Sequence, residues 1–206
     1  MLFFMYAQVL AAEPSKEIII SSVSQDSSAR EKLGADQLSS FEIAGVYGLK
    51  PNLSVLLSYG YGTITTNYDT PYRESSYVYD YYDNKYAFES AFAQHMLSVG
   101  PRYRHIFNDW ASVYGKAEGT LSFSSIRYAT SVTEEEPISQ RSSSALSFGV
   151  TVAGGLMGSF QFRENMPQVL ISLELGYSAQ GASTYEKLGS LDLSGAYSSL
   201  GAGLRF

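Results

Sequence analysis

The chain has 206 residues, no cysteine, 17% charged residues and a net charge of −6. Without cysteine there is no thiol catalysis, no disulfide and no cysteine-ligated metal site. The acidic balance argues against a nucleic-acid partner, which needs clustered Lys and Arg.

Residues 1–12, MLFFMYAQVLAA, are a short apolar run ending in small residues. They read as the end of a secretory signal peptide, cut near Ala11 or Ala12. No Lys or Arg precedes Lys16, so the positive start of such a signal is missing and the signal is incomplete. An ordinary buried N-terminal segment is the alternative. Residues 13–206 then form one domain. No later stretch has the apolar length of a membrane-spanning helix.

From there the period is two. EIIISSV, residues 17–23, is a weak first strand. In FEIAGVYGL, Phe41, Ile43, Tyr47 and Leu49 oppose Glu42, Ala44, Val46 and Gly48. In LSVLLSYGYGTI, Leu53, Val55, Leu57, Tyr59 and Tyr61 oppose Ser54, Leu56, Ser58 and Gly60. The same alternation marks MLSVGPRYRH (96–105), WASVYGKAEGTLSF (110–123), LSFGVTVAGGLM (146–157), QVLISLELGYS (168–178) and a last strand from about Leu191 to Phe206. Side chains on a strand alternate faces, so each segment has one greasy side. Short links at 50–52, 106–109 and 159–167 alternate with long ones at 24–40, 65–87, 127–144 and 179–190. Strands running up and down therefore put every long loop at one end.

The second face decides the environment. It is Gly, Ser, Thr and Ala, interrupted by Glu42, Arg102, Arg104, Lys116, Glu118, Glu174 and Arg205. A soluble surface would carry dense Lys, Glu and Asp. Small residues with a few charges of both signs suit a narrow lumen, where an eight-stranded barrel has room for little but side chains. Such buried charges must pair; Glu118, Glu42 and Glu174 are candidate partners for Arg102 and Arg104, and the sequence does not assign them. The apolar face then meets lipid, since a closed barrel satisfies its own backbone. Tyr59, Tyr61, Phe123, Phe148 and Tyr177 fall near the long-loop end, and Tyr47, Tyr103 and Phe206 near the short-turn end, as two interfacial girdles would. The predicted fold is all-β: an eight-stranded antiparallel up-and-down transmembrane β-barrel.

The stretch GLKPNLS (48–54), the stretch VGPRYR (99–104) and a greasy last strand closing on Phe206 resemble the bacterial outer-membrane β-barrel family, which includes the OmpA membrane domain and the OmpX, Ail-like and OmpW-like barrels. The resemblance spans about residues 17–206. It implies residence in the bacterial outer membrane, contact with outer-membrane lipid and lipopolysaccharide, and Phe206 as the signal read by the barrel assembly machinery. It implies no cofactor.

Chemistry is sparse. The two histidines are His95 and His105. Some barrels of this family modify lipid A, which would need His with Ser and a carboxylate at the outer rim. Ser98 lies three residues from His95, hence on the opposite face of a strand, and His105 falls beside a short turn. TEEEP (133–137) reads as a solvated acidic tip, because consecutive residues do not converge on an ion. Glu74, Asp69, Asp80 and Asp83 lack the spacing of a cation loop. No catalytic, cofactor or metal residue is assigned.

The most informative loop is TTNYDTPYRESSYVYDYYDNKY, residues 65–86. Tyr68, Tyr72, Tyr77, Tyr79, Tyr81, Tyr82 and Tyr86 crowd it among Asp, Ser and Asn. Tyr gives large amphipathic contact area at low entropic cost, a composition that binding loops use. Alternating Tyr77, Tyr79 and Tyr81 also suit a hairpin standing above the membrane with rings stacked across strands. The expectation is a non-enzymatic protein of envelope structure and surface contact, with a host or cell-surface ligand. A narrow OmpW-like channel for small or apolar solutes and a lipid A-modifying enzyme are the alternatives.

Overall fold

A computed structural model describes residues 15–27, 38–67, 89–130, 139–163, 166–185 and 189–206. The elements are β1 (Lys16–Ser27), β2 (Leu38–Lys50), β3 (Leu53–Asn67), β4 (Glu89–Asn108), β5 (Ala111–Thr130), β6 (Ser139–Phe160), β7 (Gln168–Gln180), β8 (Ser183–Tyr185), β9 (Gly189–Leu191) and β10 (Gly195–Arg205). Eight of them form a closed antiparallel barrel in the order β1-β10-β7-β6-β5-β4-β3-β2; β8 and β9 form a separate hairpin. The weak first strand forms in full, pairing with β2 on one side and β10 on the other. The seam runs to the last residue, where the Phe206 amide donates to the Lys16 carbonyl at 2.9 Å. Within the closed barrel each strand is paired on both sides, which is what lets a sheet sit in hydrocarbon.

The greasy parity faces outward. Leu57, Val150 and Leu173 are 56%, 55% and 50% exposed, whereas Lys116 and Glu118 are 7% and 3% exposed. A water-soluble barrel would show the reverse. Aromatic side chains are exposed at both ends of this belt: Phe41, Tyr59, Tyr61, Phe123, Phe148 and Tyr177 toward the long connections, and Tyr47, Tyr103 and Phe206 toward the short ones. Phe107 and Phe160, at strand ends, and Trp110 and Phe162, on the short links, join the second group. Interfacial rings satisfy water with their polar edges and lipid with their faces.

The wall is uneven. β1, β7 and β10 have 12, 13 and 11 residues, close to the roughly 9–11 of a membrane-spanning strand. β4, β5 and β6 have 20, 20 and 22. The β6–β7 ladder stops at Gly149–Gln180, while β5–β6 continues to Thr130–Ser139. One side of the barrel therefore rises past the other at the long-loop end. Glycines permit close strand approach: a Cβ on Gly100, for example, would collide with the Ala117 carbonyl oxygen, and one on Gly203 with that of Ile18.

The last strand begins later than its alternation predicts. Leu191 belongs to the β8–β9 hairpin, paired with Ser183, and residues 192–194 are irregular before β10 starts at Gly195. The Ser194 amide donates to Asp192 Oδ1 at 2.9 Å, a local turn that competes with the ladder.

Candidate functional site

The inward parity builds a lumen in layers. Nearest the short turns lies an apolar cluster of Ile19, Ala44, Val46, Leu56, Tyr114, Met157 and Leu170. Beside it Glu17, with a fully buried side chain, accepts from three guanidiniums. Arg102 Nη2 donates to its Oε2, and Arg104 Nη1 and Arg205 Nε donate to its Oε1 at 3.0 and 2.9 Å. Arg205 Nη1 also donates to Gln168 Oε1 at 2.8 Å. Charge-assisted hydrogen bonds of this kind hold geometry as well as energy.

Above this layer Lys116 Nζ sits 2.8 Å from Glu118 Oε2 and 3.0 Å from Glu174 Oε1. Glu174 also accepts from Tyr197 at 2.7 Å and from Tyr114 at 2.9 Å. Tyr114 joins the two layers, because Arg102 lies over its ring at 5.5 Å, a cation–π contact. Beyond Lys116 is a cavity of about 40 Å³ lined by Glu42, Ser98, Thr120 and Tyr197 among others.

The mouth at the long-loop end is capped. Leu38, Phe92 and Ile126 point inward from the barrel wall and pack with Tyr185, Leu191 and Leu193 of the β7–β10 connection. Leu193 is completely buried. Polar contacts pin the cap: Gln25 Nε2 donates to the Leu193 carbonyl at 2.5 Å, Ser124 Oγ and Tyr185 Oη are 2.5 Å apart, and the Gln180 amide donates to Ser194 Oγ at 2.9 Å. Hydrogen bonds from the Ser194 amide and hydroxyl hold the Asp192 carboxyl below the usual carboxylate range. Below the cap, Gln94 Nε2 donates to Ser122 Oγ at 2.7 Å and Gln180 Oε1 at 3.1 Å. The lumen is thus closed by apolar packing at the mouth and by ion pairs lower down.

Of the predicted lumen charges, Arg102, Arg104, Lys116, Glu118, Glu174 and Arg205 all face inward, and Glu42 lines the cavity. The structure assigns the partners, and they lie outside the candidate set. Arg102 and Arg104 meet Glu17, not Glu118, Glu42 or Glu174. Glu17 opens the weak first strand, where three consecutive Ile hide the alternation. Alternation does not predict the cap either, although Leu38, Phe92, Ile126, Leu191 and Leu193 are apolar residues on the lumen parity.

His95 faces outward, with Nδ1 2.8 Å from Tyr59 Oη and its ring 4.9 Å from that of Tyr61. Ser98 faces the lumen, 3.0 Å from the Thr120 hydroxyl. His105 packs edge-on against Phe107 at the short-turn end. Among the described residues no three acidic or imidazole groups converge as metal ligands. The signal segment 1–12, the seven tyrosines from Tyr68 to Tyr86 and the acidic tip at 133–137 lie outside the described residues.

The lipid-facing belt and the filled, capped interior are those of a membrane barrel. This chain has the fold of the eight-stranded bacterial outer-membrane barrels. A major outer membrane protein from Thermus thermophilus superposes with a TM-score of 0.52 at 13% identity, covering 93% of this chain and 99% of that one. Ail, the attachment invasion locus protein of Yersinia pestis, superposes with a TM-score of 0.50 at 15% identity, covering 95% and 100%. No family model matches the sequence, and no curated protein matches it. The outer-membrane barrel therefore rests on fold and on which face is greasy.

Proposed function

We propose that this barrel is a non-enzymatic, non-conducting outer-membrane protein whose work is done on its outer face. One observation carries this reading: the interior is occupied. Glu17 with three guanidiniums, Lys116 with two carboxylates, and the Leu193–Tyr185 cap stand in series along the lumen. A solute would have to break buried ion pairs, which is costly. Envelope structure and surface contact remain.

The tall β4–β6 side supports a contact role, since it carries the ends from which the Tyr-rich segment 65–86 and the acidic segment 131–138 depart. Rigid scaffolds that raise loops into solvent commonly serve binding. The solved complex of Ail with the heparin analogue sucrose octasulfate is a precedent for ligand binding by such a barrel. That ligand is a polyanion, whereas Glu134, Glu135 and Glu136 make segment 131–138 of this chain strongly acidic. Its surface partner is therefore read as neutral or cationic and aromatic-compatible rather than polyanionic.

The test replaces the seven Tyr of residues 65–86 with Ser and measures adhesion of expressing cells to matrix and to neighbouring cells. Reduced adhesion with unchanged heat-modifiable migration of the barrel supports the reading; unchanged adhesion rejects it. Steady single-channel conductance of the purified protein in planar bilayers would reject the non-conducting part.

A further inference from the structure

We propose that the cavity on the outer side of Lys116 is a site for one hard divalent cation, bound as the barrel folds. Glu118 is 3% exposed, and its two oxygens are treated unequally. Oε2 is 2.8 Å from Lys116 Nζ; Oε1 is buried and has no hydrogen-bond partner among the described residues. A carboxylate oxygen withdrawn from water and left bare is costly, so something belongs against it.

The surroundings define what. Glu118 and Glu42 both line the cavity, together with the hydroxyl-bearing Ser98, Thr120, Thr151 and Ser178. These side chains offer oxygen donors, the set that calcium-like ions take rather than soft metals. Charge points the same way. Lys116 is shared between Glu118 and Glu174, and the guanidiniums of Arg102, Arg104 and Arg205 are engaged by Glu17 on the opposite side of the Tyr114 layer. In this outer layer three carboxyl groups, Glu42, Glu118 and Glu174, face the single ammonium of Lys116. The cavity of about 40 Å³ exceeds the roughly 10–15 Å³ a single water needs, room for an ion with a retained water. Two carboxylates with several neutral oxygens make a site of modest affinity, in about the millimolar range of extracellular calcium modules. With the cap above and the Arg layer below, the ion enters during folding and exchanges slowly afterwards.

The experiment refolds the full chain in detergent with calcium or with a chelator, moves both samples to metal-free buffer, and reads bound metal by native mass spectrometry. The expected result is one retained calcium per barrel after refolding in calcium. Glu118→Gln and, on another strand of the lining, Glu42→Gln are expected to lose it while still showing the folded band. A variant with Glu134, Glu135 and Glu136 all changed to Gln is expected to keep it. A folded wild-type barrel that retains no calcium overturns the proposal, and water then fills the cavity. So does retention in both cavity variants, or loss in the acidic-tip variant, which would move the ion to the loop.

Discussion

Arg205, on the last strand, donates to Glu17, on the first, through Nε at 2.9 Å. The two residues are also register partners across the β1–β10 seam. The contact that balances the buried carboxylate thus lies where the chain closes on itself. Arg102 and Arg104 reach the same carboxylate from β4, so one side chain ties both ends of the sequence to its middle.

Removing that hub leaves three guanidiniums without their counter-ion. Glu17→Gln is expected to lower unfolding stability by about 3–5 kcal/mol, the cost of breaking a buried ion pair from one side. Urea titration read by heat-modifiable migration measures it. A change near zero would mean that the arginines find other partners.

Tyr114 and Tyr197 donate to different oxygens of Glu174. Oε1 keeps Lys116 when Tyr197 loses its hydroxyl, whereas Oε2 depends on its Tyr114 donor. Tyr114→Phe is therefore expected to cost about 1.5–3 kcal/mol, and Tyr197→Phe less. Equal losses would contradict this division of roles.

The cap is expected to behave as a small core. Leu193→Ala should cost about 2–5 kcal/mol, as for other fully buried leucines, and should speed proteolysis between residues 181 and 194. Conductance should stay absent, because the ion-pair layers lie below the cap. Channel activity in this variant would show that the cap alone seals the barrel.

Acid should loosen the same segment. The folded Asp192 carboxyl titrates below its unfolded value, held there by the Ser194 amide and hydroxyl. Its stabilisation is complete above the unfolded value of about 3.9 and is lost as pH falls through the lower folded value. Protease sensitivity of residues 181–194 is expected to rise over that acid range. Asp192→Asn should remove this rise; an unchanged acid profile in the variant would assign it elsewhere.

The architecture is legible because its signal is local and repeated. Alternation in residues 53–61 or 168–178 states which side chains share a face, and lengths of connections state which end they occupy. Partner identity is not local. Glu17 lies 85 residues from Arg102, and its parity is masked by Ile18, Ile19 and Ile20. The cap leaves a trace, in Phe92, Ile126 and Leu193 on the polar parity. A period, however, says which way a side chain points and not what fills the space it enters. The Asp192–Ser194 turn likewise overrides an alternation that runs on from Leu191.

The central claim is that the greasy face meets lipid while the ionic face is sealed within. The absence of native cysteine allows single spin labels at Leu57→Cys, Val150→Cys and Leu173→Cys in the barrel reconstituted in bilayers, with Ser58→Cys and Ser172→Cys as lumen controls. The first three are expected to be accessible to oxygen and shielded from a water-soluble nickel reagent, with the controls shielded from both. Nickel access at 57, 150 and 173 would contradict the account.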